Sequence, residues 1–90
     1  MPSYLVETYL ARGRAGERAV RDQQARAAAE ELTRERTPVR FESSIYVPED
    51  EICFFVFDAP SGSTAALVAQ RADLDPVRIV EAIPSKKEER

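Results

Sequence analysis

The sequence predicts an α+β domain of the ferredoxin-like βαββαβ type, and three features predict it. Four stretches of strand composition and two of helix composition follow one another as strand, helix, strand, strand, helix, strand, with a tight turn between the middle strands. One of those strands, Ile52 to Phe57, is apolar at every position, as in a strand covered on both faces. The length of 90 residues makes one domain, because two smaller cores could not offset the entropy of ordering their chains.

Tyr4 to Leu10 is rich in aromatic and β-branched types and reads as the first strand, which Gly13 and Gly16 follow as breakers. From Glu17 to Arg36 the chain holds strong helix formers without Gly or Pro, until Thr37-Pro38 ends the run. The apolar stripe of this helix is thin, since Val20, Ala28 and Leu32 share a face with Gln24 and Glu31. Val39 to Val47 alternates Val39, Phe41, Ser43, Ile45 and Val47 against Arg40, Glu42, Ser44 and Tyr46, a strand with one apolar and one polar face.

Pro48 to Glu51 makes a polar turn into the apolar strand. After Asp58 to Gly62, a second helix runs to about Ala72 with Ala65, Val68, Ala69 and Ala72 on one face, capped by Ser61 or Ser63. Asp73 to Pro76 turns the chain into a last strand, Val77 to Ile83, which Pro84 closes. The domain therefore spans 1–84, with 85–90 expected as a flexible polar tail.

Right-handed crossovers put both helices on one face of an antiparallel four-stranded sheet. The other face is left bare, yet the central strand offers it Phe or Val whichever way it points. A second copy of the sheet is the simplest cover, so we expect a homodimer assembled like a dimeric α/β barrel.

Several function classes are excluded by residue type. The chain has no histidine, which removes Ser-His-Asp and Cys-His nucleophile systems and imidazole metal sites. The single cysteine, Cys53, makes no internal disulfide and lies inside the apolar strand, where a packing role is favoured over a reactive one. With no leader pattern at the N-terminus, a cytoplasmic location is expected. No apolar run approaches the roughly 20 residues of a membrane helix. Glu49, Asp50 and Glu51 lack calcium-loop spacing and read as a solvated turn, and the isolated glycines form no phosphate cradle, so no cofactor is expected.

Arg12, Arg14, Arg18, Arg21 and Arg26 crowd one segment but are interleaved with Glu17, Asp22, Glu30, Glu31 and Glu35, which reads as a solvated helix laced with salt bridges. RNA-recognition domains share the βαββαβ order and stack bases on aromatics such as Phe55 and Phe57 would be. Against this, the strand lacks the basic-Gly start of that signature and the net charge is −3, so no nucleic-acid partner is expected.

Four stretches together carry a family resemblance: Leu5-Val6-Glu7, Phe57-Asp58-Ala59-Pro60-Ser61, Gln70-Arg71-Ala72 and Arg78-Ile79-Val80-Glu81. They resemble a small bacterial family whose best-known type is a nickel-responsive, nickel-binding protein, and the likeness runs over nearly the whole chain. The resemblance implies a dimeric ferredoxin-like fold. That family takes its metal chiefly through histidines, so no metal ligand carries over to this sequence.

The polar residues of the strands are the candidate site. With Leu5, Glu7 and Tyr9 on the uncovered face beside Glu42, Ser44 and Tyr46, that face presents two carboxylates and two phenols next to phenylalanine, and Arg78 is the cation to pair with them. Such a set can line a pocket for a small molecule or ion, or serve an accessory protein. The plainer reading is that these residues rim a dimer interface or face water. The competing function is a cofactor-free cyclase, isomerase or monooxygenase of the dimeric α/β-barrel type, with Glu7 or Glu42 as base.

Overall fold

The computed structural model describes residues 1–85; the expected tail lies, from 86 onward, outside the described residues. The elements are β1 (Ser3–Tyr9), α1 (Glu17–Arg34), β2 (Arg40–Val47), β3 (Ile52–Asp58), α2 (Gly62–Arg71) and β4 (Arg78–Ala82), with one 3₁₀ turn at Arg12–Arg14. The sheet is antiparallel throughout in the order β2-β3-β1-β4, so the apolar strand β3 is central as expected. This is the ferredoxin-like α+β fold. Among the described residues no helix is long and apolar enough to cross a membrane.

Alternation divides each strand between two faces. One face holds Val6 and Thr8 of β1 with Cys53, Phe55 and Phe57 of β3, all buried beneath Ala25, Ala28, Ala29 and Leu32 of α1 and Val68 and Ala69 of α2. Alanines keep α1 close to the sheet, whereas Val20, expected on its buried stripe, is 59% exposed. Phe41 joins this core, with its ring centroid 5.4 Å from that of Phe57. Thr8, the only buried polar residue among those described, donates its hydroxyl to the Cys53 carbonyl at 2.8 Å and so carries no unpaired group into the core.

The helix ends follow from local chemistry. Ser61 is extended and its hydroxyl accepts from the Thr64 N–H at 3.2 Å, which settles the α2 cap on Ser61 rather than Ser63. Arg71, in the last turn of α2, reaches Glu31 and Glu35 of α1 at 3.0 and 3.1 Å and ties the helices together.

The strand β2 departs from strict alternation. Its pairing with β3 runs Val47 with Ile52 back to Ser43 with Val56, then jumps to Phe41 with Phe57, leaving Glu42 as an extra residue. This bulge turns both Glu42 and Ser43 toward the uncovered face. It also moves Ser44 and Tyr46 to the helix side, opposite Phe55 and Cys53.

Candidate functional site on the open sheet face

Register lays out the uncovered face as cross-strand rows. One end row reads Ala82, Ser3, Asp58, Arg40; the next reads Val80, Leu5, Val56 and Ser43, with Glu42 bulged beside it. The third reads Arg78, Glu7, Phe54, Ile45, and the last Tyr9, Ile52, Val47. A band of apolar side chains thus crosses all four strands, and paired charges sit at two opposite corners. Ile45 is 51% exposed, although it lies in the middle of a strand.

The expected pairing of Glu7 with Arg78 is present: Arg78 Nε donates to Glu7 Oε1 at 3.3 Å, and the Glu7 side chain is mostly enclosed while the arginine stays open to water. Phe54 is the cross-strand neighbour of Glu7 on its other side. Tyr9 shares this face, but its hydroxyl turns to Glu51 Oε1 at 3.5 Å. Glu51 also accepts the Arg12 N–H at 2.9 Å, so this member of the acidic turn anchors the segment that leaves β1 rather than merely facing solvent.

Tyr46 does not belong to the site. The bulge at Glu42 reverses its facing, so its ring packs against the helix-side core and its hydroxyl donates to the Leu10 carbonyl at 3.0 Å. Ser44 moves with it and receives the Arg18 guanidinium, at 2.9 Å to both its hydroxyl and its carbonyl.

Glu42 stays on the open face within a cluster that sequence reasoning missed. Arg40 bonds both Glu42 and Asp58, at 2.9 Å to Asp58 Oδ2, while the Ser3 hydroxyl donates to Asp58 Oδ1 at 2.9 Å. The Asp58 carboxylate beside it pushes the Glu42 carboxyl above its ordinary value, helped by partial burial and opposed by Arg40. Burial pushes Asp58 up as well, but hydrogen bonds from Glu42, Arg40 and Ser3 outweigh it and hold Asp58 below its ordinary value. When protonated, Glu42 is a hydrogen-bond donor to Asp58. The strand β3 lies between Glu42 on β2 and Glu7 on β1.

Phe55 and Phe57 are fully buried beneath the helices, away from the open face. Cys53 is enclosed, and among the described residues no three Cys, Asp or Glu side chains come together as ligands.

No family model matches the chain, and no curated protein matches it. Among solved structures it is similar to SCO4226 from Streptomyces coelicolor A3(2), at 20% identity and a TM-score of 0.69 over 93% of this chain and 99% of that one. That similarity carries the fold: the two chains share the ferredoxin-like architecture over nearly their full lengths.

Proposed function

We propose that two copies pack their open sheet faces together as a homodimer, in the manner of a dimeric α/β barrel, and that the space between the sheets binds a small organic molecule or ion. The observation that carries this reading is the apolar band of Leu5, Ile45, Phe54, Val56 and Val80, which the chain's own helices leave uncovered. An identical face is a fitting occupant, because the charges that border the band are paired, Glu7 with Arg78 and Arg40 with Asp58. Glu7, Tyr9, Glu42 and Arg78 supply the polar contacts, with Ser3, Arg40 and Asp58 added to them. The family resemblance supports the dimer and not a metal role. The lone buried Cys53 suits a reducing compartment, and we assign the chain to the cytoplasm.

Sedimentation equilibrium tests the assembly. The wild type should be a dimer at micromolar concentration, and Ile45→Asp, which alters a side chain half exposed in the single chain, should be a folded monomer. A monomeric wild type at that concentration overturns the reading.

A second reading has its own observation. Asp58 raises the Glu42 carboxyl above its ordinary value, the direction that suits a group passing a proton in a cofactor-free cyclase, isomerase or monooxygenase. Glu42→Gln would then abolish turnover and leave the dimer intact.

A further inference from the structure

A groove of about 590 Å³ lies on the helix side, between the C-terminal half of α1 and the start of β2, away from the open sheet face. Its floor is apolar, made by Ala29, Val39 and Phe41, each buried to within a few per cent. Arg26 and Arg34 of α1 stand over it, and the Arg26 guanidinium lies 5.1 Å above the centre of the Phe41 ring. That contact packs the guanidinium on the ring.

The charges at the rim are unbalanced. Arg12, Arg14, Arg21, Arg40, Arg71 and Arg78 each have a carboxylate within 4 Å. Among the described residues Arg26 and Arg34 have none, although Glu30 lines the same groove one helical turn from both. Arg40 also reaches the rim, but Glu42 and Asp58 hold its charge. Two guanidinium groups without an ion pair against one carboxylate, with Met1 at the same groove, leave an excess of positive charge above an apolar floor, in a chain whose net charge is −3.

We propose that this groove binds an organic monocarboxylate with a flat or short apolar body. The carboxylate takes the guanidinium edges of Arg26 and Arg34, which suit its two oxygens. The apolar body lies on Val39 and Phe41. A volume of this size falls within the range of small-ligand sites, and the excess of positive charge favours an anion over a neutral ligand. Arg40 borders both this groove and the proposed dimer cleft, but Arg26, Arg34 and the apolar floor lie outside that cleft, so the proposal does not rest on the dimer.

The test is a ¹H–¹⁵N NMR titration of the full chain with phenylacetate, with neutral phenylacetamide as the comparison. Phenylacetate should give saturable shifts centred on residues 26–41, weakened by salt, while the amide gives none. Arg34→Gln, on an exposed side chain, should weaken binding about tenfold with the spectrum otherwise unchanged. Arg26→Lys keeps the charge but loses the planar fork, and should weaken it by less than Arg26→Gln does. Glu30→Gln should tighten binding several-fold. Equal shifts from the amide, saturable shifts centred elsewhere, no saturation by phenylacetate in the millimolar range, or indifference to Arg34→Gln each overturns the proposal.

Discussion

A carboxyl placed against a second carboxylate gives up its proton late, and Glu42 is so placed by Asp58. Because the folded value of Glu42 lies above its ordinary 4.5, its contribution to stability is full below that value and is lost as pH rises through the folded one. Asp58 has the opposite sign: its folded value lies below the ordinary 3.8, so its contribution is present above 3.8 and lost as pH falls through the folded value. The cluster is therefore best satisfied with Glu42 protonated and Asp58 ionised. Glu42→Gln keeps a donor for Asp58 and removes the charge, so the variant should gain on the wild type as pH rises from 4.5 to 7. The gain should stay below about 1 kcal/mol, since the side chain is open to water. Parallel melting curves at both pH values would show that the two carboxyls do not interact.

Cys53 is the residue whose behaviour follows most directly from its place. Burial pushes its thiol up, against a smaller opposing effect of Arg18, and the residue has no exposed surface. A disulfide reagent should leave it untouched in the folded protein and modify it fully in denaturant. Rapid labelling under native conditions would mean that the core opens at β3.

At the level of elements, the buried face of α2 was legible because four small or apolar residues at helical spacing specify it, whereas Ser61 and Ser63 were equal candidates for its cap until the structure chose Ser61. Ser61→Ala should cost about 1 kcal/mol in chemical denaturation, whereas Ser63→Ala, on an exposed residue without a capping bond, should cost much less. Strand β2 was legible as a strand but not in its facing. Counted outward from the turn, an unbroken hairpin would set Glu42 against Phe57 and Phe41 against Asp58. That arrangement takes Phe41 out of the core, and the bulge avoids it by inserting Glu42 and restoring Phe41 opposite Phe57. A period-two count cannot show where such an insertion falls, so Tyr46 was assigned to the wrong face and the Arg40–Asp58 pair went unseen, whereas Glu7 and Arg78, on unbulged strands, were found. Tyr46→Phe should cost about 1 kcal/mol for the lost bond to the Leu10 carbonyl and leave self-association unchanged. A change in self-association would put Tyr46 back on the open face.

For the whole molecule, the question is how a small sheet with helices on one side only remains stable. The helix side is closed by a core of small residues and three phenylalanines, and β3 has no exposed side chain on that face. Its other face carries Ile52, Phe54 and Val56, which Leu5, Val80 and Ile45 flank without covering. A domain of this size buries a modest share of its unfolded surface, so closing that band with a second copy, as proposed, would add stability that depends on concentration. The thermal midpoint should therefore rise by a few degrees for each tenfold increase in protein concentration. Ile45→Asp should remove that dependence and melt at the lower limit approached by the dilute wild type, because the substitution places a charge in the contact and leaves the helix-side core intact. If the wild-type midpoint is the same at every concentration, the open face contributes nothing through association, and the apolar band is stable against water on its own.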